Sequence, residues 1–259
     1  MNQEKRILVC EDSMEGIFSA VYDGWKECAG GCKVSIQTSF PVSMELFTSY
    51  REIATDQSKA GKVMRTILMR LGSEVYEQIC LAAASADEDR GTAIYYVLHR
   101  AFGGGRCEKR VMEALADPYV SRVAKLALCV KREYHHYFGF VRFREISGRF
   151  LLAKIQPGND ILSLMALHFS NRFPNENWVI YDEKRQKALC HEKGKECVMR
   201  KGVRIQVPGS AVGDMGEYEE LWQTFCDSIS IEARRNEKLQ KQMLALHFRS
   251  NMPEFSMKG

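Results

Sequence analysis

The amino-acid sequence predicts an α+β fold: an antiparallel sheet built from two hairpins and covered by helices, with an N-terminal β-α-β unit and a helical insert. Two observations lead to this prediction. The chain opens with a strand–helix–strand pattern, and its second half alternates helical stretches with hairpin signals. With 259 residues, 45% of them hydrophobic and 27% charged, the chain has the composition of an ordinary globular protein. We expect one domain over residues 1–259, with sub-domains at 1–105 and 106–259.

The β-α-β unit occupies the start of the chain. Residues 6–10 form a short apolar run, residues 32–38 form a second, and apolar residues recur at helical spacing between them. Asp12 or Ser13 stands where a helix N-cap is expected. Residues 43–102 show further apolar stripes at helical spacing and contain no proline, so we predict that this insert is helical throughout.

Two hairpins form the predicted sheet. The first has an outgoing strand over residues 138–144, a Ser-Gly turn and a returning strand over residues 149–155. A Pro-Gly-Asn-Asp turn and a short helix follow. The second hairpin pairs residues 178–181 with 187–191, and a last helix starts near Glu217.

The outgoing strand of the first hairpin also resembles an RNA-recognition string. The pattern K/R-G-F/Y-G/A-F-V-x-F/Y agrees with the sequence at Phe138, Gly139, Phe140, Val141 and Phe143. Exposed aromatic rings in such a strand stack on bases, whereas buried ones pack a core. Because a helix runs directly into this strand, we favour the core, and RNA binding is the weaker alternative.

The net charge and the cysteine content limit the possible functions and cellular compartments of the protein. The formal net charge of +4 permits nucleic-acid binding without demanding it. Nine cysteines, an odd number, are not typical of a secreted disulfide framework and favour the reducing cytoplasm. The N-terminus lacks the apolar segment of a secretory signal, and no run of about 18 apolar residues occurs, so we expect no membrane span.

Five phrases of the sequence, taken in order, resemble a known bacterial family. They are EDSMEGIFSAVYDGW, TDQSKAGKVM, GFVRFRE, HFSNRFPNENWVIYDEKR and ISIEARRNEKLQKQM. The family consists of proteins named as probable DNA metabolism proteins and is built on a domain of unknown function. Its genes lie beside a radical S-adenosylmethionine protein assigned to DNA modification or repair, and some relatives carry a fused uracil-DNA-glycosylase-like domain. One departure is Leu167, where the family tends to have proline ahead of its His-Phe pair, so no kink is expected there.

The resemblance implies an accessory protein of DNA modification or repair that binds DNA and acts with a radical S-adenosylmethionine protein. A uracil-DNA-glycosylase-like protein is a second candidate partner. We expect no cofactor in this chain, because the three-cysteine spacing of radical enzymes is missing. We also expect no metal site, because the cysteine pairs at 28 and 32 and at 190 and 197 are not accompanied by a second closely spaced pair.

The alternative function is catalytic: a nucleic-acid hydrolase or glycosylase-like enzyme that uses His168 or Asp182 as a base. His168 and Arg172 are four residues apart on one predicted helix and share a face, so they could clamp a phosphate or serve a hydrolytic centre. They could equally form a helix-to-sheet pair that orients Asp182. Asp182 itself lies at a predicted hairpin tip, where charge usually faces solvent.

Six cations are the candidate nucleic-acid contacts. Three lie on the last predicted helix at i, i+4 and i+7, which forms the strongest basic stripe in the chain, and three lie on or beside the hairpins. They are Arg234, Lys238 and Lys241 on the helix, and Arg142, Arg144 and Arg185 at the hairpins.

Overall fold

A computed structural model describes residues 5–28, 33–41, 44–103, 109–146, 150–205, 244, 246–249 and 252. The chain divides into two compact units, Met1–Arg132 and Glu133–Gly259. Both units combine helices with a sheet, one sheet parallel and the other mostly antiparallel, so the fold class is α+β as predicted.

The first unit contains a three-stranded parallel sheet. Strand β1 (Lys5–Cys10) lies in the middle, with β2 (Lys33–Gln37) on one side and β3 (Thr48–Ile53) on the other. Helix α1 (Met14–Cys28) connects β1 to β2 and packs on both strands. This arrangement confirms the predicted β-α-β unit, and Ser13 caps α1 by accepting a hydrogen bond of 3.0 Å from the Gly16 amide.

The helical insert follows the sheet but starts later than predicted. Residues 48–53 form β3 and not a helix, so the expectation that residues 43–102 are helical throughout was wrong. The sequence of β3 is polar, and only Ile53 is buried, because β3 lies at the edge of the sheet. The helices are α2 (Gln57–Leu71), α3 (Ser73–Ala83) and α4 (Arg90–Gly103), and a 3₁₀ turn lies at Val111–Glu113.

The core of the first unit lies between its sheet and its helices. Leu8 and Ile36 of the sheet and Ile94 of α4 are fully buried in it. Helix α4 approaches β2 closely at Gly91, where an added Cβ would lie 2.7 Å from the Ile36 Cγ2 atom. A glycine is therefore required at this crossing.

Helix α5 (Pro118–Phe140) is longer than predicted and includes residues 138–140, the first part of the expected outgoing strand of the first hairpin. Side chains four residues apart pack along it: the rings of Tyr134 and Phe138 lie 5.3 Å apart, and those of His136 and Phe140 lie 6.0 Å apart. Phe138 and Phe140 therefore belong to a helix. The prediction that they lie on a strand, where they could stack on bases, is wrong. The apolar residues from Phe138 onward alternate as in a strand, but side-chain packing at helical spacing determines the structure of residues 138–140.

The second unit contains a five-stranded sheet in the order β4-β5-β6-β7-β8. Its strands are β4 (Arg144–Ile146), β5 (Phe150–Ile155), β6 (Trp178–Asp182), β7 (Lys187–His191) and β8 (Val198–Lys201). The second predicted hairpin is present as β6 and β7. The first is present with a shorter and later outgoing strand, β4, than predicted, and β8 adds a strand that was not predicted. The hairpins meet through a parallel pair, β5 with β6, so the sheet is not antiparallel throughout.

The connection between β5 and β6 carries the helix with the candidate site residues. It contains a 3₁₀ turn at Leu162–Met165 and helix α6 (Ala166–Arg172). Helix α7 (Leu246–Arg249) is the last described element, and the helix predicted near Glu217 lies outside the described residues. Within the described part of the chain, none of the helices has the length and apolar character needed to cross a membrane.

Candidate functional site

A polar network in the second unit encloses Asp182, the last residue of β6. The Asp182 side chain is fully buried, so the expectation of a solvated hairpin tip was wrong. Its Oδ1 atom accepts hydrogen bonds from the Lys184 and Arg185 amides at 3.0 and 3.1 Å, and its Oδ2 atom pairs with the Arg185 Nη1 at 3.2 Å. Burial raises the pKa of the Asp182 carboxyl, and the hydrogen bonds and charge of Arg185 oppose that rise.

Arg185 extends the network to the turn that follows β5. Its Nη1 donates to the Pro157 carbonyl at 3.0 Å, and its Nη2 donates to the Gly158 carbonyl at 2.6 Å. Glu133 of α5 holds the same turn from another side, because its carboxylate accepts from the Gly158 amide at 2.6 Å and from Asn159 at 2.6 and 3.0 Å. The network therefore ties a helix, a turn and a hairpin together, which is a structural role.

His168 lies in an aromatic cluster on α6. Its ring stacks on Phe138 with a centroid distance of 3.9 Å and meets Phe169 edge-on at 4.9 Å. Burial, together with the nearby charges of Arg172 and His135, lowers the pKa of the His168 imidazole. The Nε2 atom is buried and has no hydrogen-bond partner among the described residues.

The three predicted catalytic residues do not share hydrogen bonds. Arg172 is exposed and lies over the Phe173 ring at 5.6 Å, and Asp182 is satisfied by its own hairpin. Within the described part of the chain, no hydrogen bond or ion pair joins His168 or Arg172 to Asp182. Neither the hydrolytic arrangement nor the orienting pair considered from the sequence is formed by contacts in this structure.

The predicted nucleic-acid contacts have different environments. Arg185 is largely buried in the network around Asp182, with a side chain 15% exposed. Arg142 donates to the Gly139 carbonyl at 2.8 Å from beyond the end of α5, and Arg144 begins β4. The remaining three, Arg234, Lys238 and Lys241, lie outside the described residues.

Of the two cysteine pairs considered from the sequence, Cys190 and Cys197 are described, whereas Cys32 lies outside the described residues. Cys190 is half-buried on β7, and the Cys197 Sγ lies 3.0 Å from the Ser170 Oγ. Burial raises the pKa of the Cys190 thiol. Among the described residues, no three His, Cys, Asp or Glu side chains are grouped so that they could hold a metal ion.

A basic cavity in the first unit was not predicted from the sequence. It has a volume of about 440 Å³ and lies between α1, α2 and α4. Its cationic side chains come from α1 and α2, and its aromatic ones from α1 and α4. The cations are Lys26, Lys62 and Arg70, and the aromatic residues are Tyr22, Trp25 and Phe102.

Helix α2 supplies much of the positive charge around this cavity. Its fifteen residues include four cations and no aspartate or glutamate. The four cations are Lys59, Lys62, Arg65 and Arg70. This composition is visible in the sequence and was the available signal, but the sequence does not show that α1 brings Lys26 to the same place.

A comparison with known protein families identifies the family of this α+β protein. The chain belongs to the DUF4130 family, a domain of unknown function that matches residues 88–254. The match includes α4, α5 and the whole described sheet of the second unit, whereas α1 and α2 precede it. It confirms that the chain contains a domain of unknown function, as the resemblance implied. A comparison with curated proteins found no match.

Proposed function

We propose that the protein is an accessory protein of DNA modification or repair that binds DNA and acts with a radical S-adenosylmethionine protein. The resemblance of its five sequence phrases to proteins named as probable DNA metabolism proteins supports this role. The observation that carries DNA binding is the basic surface formed by α2 and the end of α1.

The charged residues of α2 are all basic. Solvated helix faces commonly alternate acidic and basic residues, because oppositely charged neighbours at i, i+4 stabilise the helix. Helix α2 has cations alone, and Lys62, Arg65 and Arg70 are exposed on it. A surface of one sign attracts a polyanion, and phosphate contacts of this kind supply non-specific DNA affinity.

The catalytic alternative has less support from the geometry. A general base needs a free acceptor that points at a substrate. Both oxygens of Asp182 are already engaged by the hairpin, and its side chain is fully buried. The His168 ring packs against Phe138 and Phe169, and its Nε2 atom has no hydrogen-bond partner among the described residues.

Salt-dependent DNA binding tests the proposal. We expect Lys62→Gln/Arg65→Gln/Arg70→Gln to weaken binding about equally across sequences, because phosphate contacts carry no base information. The slope of log affinity against log salt should shrink by about 0.9 for each duplex phosphate contact removed. Glutamine is nearly as good a helix former as lysine or arginine, so the helix is retained. Fluorescence anisotropy of a labelled duplex, titrated at several salt concentrations, measures both quantities.

Two further variants make the test specific. Lys125→Gln/Lys131→Gln removes exposed charge from α5 in the same unit and should leave the salt slope nearly unchanged. Arg234→Gln/Lys238→Gln/Lys241→Gln tests the basic stripe predicted near the C-terminus. A parent protein that fails to bind DNA at low salt would contradict the proposal. Co-purification with the radical S-adenosylmethionine protein tests the partner separately.

A further inference from the structure

The basic cavity of the first unit has the size and lining of a small-molecule site. Its volume of about 440 Å³ falls within the range of about 300–1,000 Å³ that is typical of ligand pockets. Val21, Val63, Ile67 and Leu98 form an apolar lining, and no aspartate or glutamate is among the described residues around it. The lining therefore suits a ligand with an apolar body and a negative charge.

The cations are concentrated at one ring. The Nζ atoms of Lys26, Lys62 and Lys59 lie 5.2, 5.8 and 6.0 Å from the centroid of the Tyr22 ring. Lys59 is neutralised by Asp23, with Nζ–Oδ distances of 2.8 and 2.9 Å, and this hydrogen bond raises the pKa of Lys59.

Lys26 and Lys62 differ from Lys59 in this respect. Neither has a carboxylate partner within the described part of the chain. Two ammonium groups held near one ring repel each other, and the ring offsets only part of that repulsion. A bound anion would relieve it.

The aromatic side chains make the cavity suited to a flat group. Trp25 is 36% exposed although it lines the cavity. Its indole is held in place by His99 and Phe102, at centroid distances of 5.5 and 6.2 Å. An indole that packs against neighbouring rings and remains partly exposed offers a stacking surface at low entropic cost. Stacking on such a ring tolerates any base, because every base has a π-face.

We propose that this cavity binds one nucleotide, with its base against Trp25 and Tyr22 and its phosphate between Lys26, Lys62 and Arg70. The flat base accounts for the aromatic and apolar lining, and the phosphate accounts for Lys26 and Lys62, which have no carboxylate partner among the described residues. The nucleotide is either free or an unstacked residue of a DNA strand. The second source rests on the proposed DNA-binding function and would make the cavity the place where a single base leaves the stack.

Quenching of Trp25 fluorescence by thymidine 5′-monophosphate tests the site. We expect quenching in the parent and its loss in Trp25→Phe, which isolates the Trp25 signal from that of the other two tryptophans. Lys26→Gln/Lys62→Gln should weaken binding by about tenfold or more, because a hydrogen bond to a charged group contributes about 1.5–3 kcal/mol. The matched control, Lys125→Gln/Lys131→Gln, should bind like the parent. Thymidine, which lacks the phosphate, should bind more weakly, and calorimetry provides an affinity independent of fluorescence.

Short oligothymidylates and fully abasic strands of the same length separate the two sources. Tighter binding of the intact strand, with Trp25 quenching, assigns the cavity to an unstacked base in DNA. Quenching by the mononucleotide alone, with no change of Trp25 emission on adding the oligonucleotides, keeps the cavity as a free-nucleotide site and overturns the unstacked-base source. DNA binding that leaves Trp25 emission unchanged, with no binding of the mononucleotide in either assay, would overturn the cavity inference and leave the DNA function standing.

Discussion

At the scale of single residues, Asp182 shows how a side chain that looks catalytic can serve the fold. It is fully buried, caps its own hairpin and pairs with Arg185, which in turn holds the turn after β5. Removing one member of a buried ion pair leaves the other without compensation and typically costs about 3–5 kcal/mol. The residue should therefore be needed for stability whether or not it has any other role.

We expect Asp182→Ala to lower the free energy of unfolding by about 3 kcal/mol, because it removes the acceptor of two amide hydrogen bonds and the partner of Arg185. Asp182→Asn should cost less, since its amide oxygen can still accept from the Lys184 and Arg185 amides. Glu183→Ala is the matched control: Glu183 pairs with Lys154 at 3.5 Å near the surface, and such pairs contribute less than about 1 kcal/mol. Urea unfolding measures all three. If the Asp182→Ala protein were as stable as the parent, the structural role assigned to Asp182 would be contradicted.

His168 supplies a pH-dependent contribution to stability whose sign follows from its environment. Its folded pKa is lowered from the model-compound value of 6.5, chiefly by burial. The neutral ring is therefore favoured in the folded state, and this contribution is fully present above pH 6.5 and is lost as the pH falls through the folded pKa. Protonation would also place a buried N–H at Nε2, which has no acceptor among the described residues.

We expect His168→Phe to flatten the fall of stability on acidification, because phenylalanine keeps the stack on Phe138 and cannot take up a proton. The difference in stability between the variant and the parent should shift in favour of the variant as the pH is lowered from 7.5 to 5. The control is His136→Gln, which removes an exposed histidine from α5 in the same unit. Thermal unfolding across this range measures the difference, and parallel curves for parent and His168→Phe would contradict the assignment.

At the scale of elements, two glycines on helices of the first unit have opposite roles. Gly91 lies where α4 crosses β2, and an added Cβ would be 2.7 Å from the Ile36 Cγ2 and 3.0 Å from the Ile36 carbonyl oxygen. Gly61 lies on α2 with no atom within 4 Å of an added Cβ. One glycine therefore permits a close helix–strand contact, and the other only adds backbone freedom to the unfolded chain.

We expect Gly91→Ala to destabilise the protein by about 1–3 kcal/mol through overpacking. We expect Gly61→Ala to stabilise it by about 0.5–1 kcal/mol, because alanine is the better helix former. Denaturant unfolding of both variants checks the two signs. If both substitutions were stabilising, the contact between α4 and β2 would be looser than the structure shows.

The elements also show what local pattern can and cannot predict. The start of the chain and both hairpins were predicted because their apolar runs and turn residues are local signals. Residues 138–140 were assigned to the wrong element, because a strand-like alternation there competes with helical packing of Tyr134 and His136 against their neighbours. Strand β3 was missed because an edge strand buries one side chain and leaves little pattern.

At the scale of the whole molecule, the site candidates depended on contacts that sequence spacing does not determine. The i, i+4 relation of His168 and Arg172 was correct, but the partner of Asp182 proved to be Arg185, three residues away on its own hairpin. The cavity required α1, α2 and α4 to converge, and this convergence depends on non-local packing. Only the absence of acidic residues from α2 could have indicated a basic surface there.

The parallel pairing of β5 with β6 also bears on the order in which the second unit assembles. Neighbouring strands of a hairpin meet through a short turn, and such structures form in about 1–10 μs. The pairing of Leu151 with Trp178, and of Ile155 with Asp182, has to wait until residues 156–177 have folded back across the sheet. Contacts between distant residues pay the loop-closure entropy before they gain any stability, and they are slow for that reason. The two hairpins should therefore form early and join late, which leaves the β5 and β6 edges open to other chains in the interval.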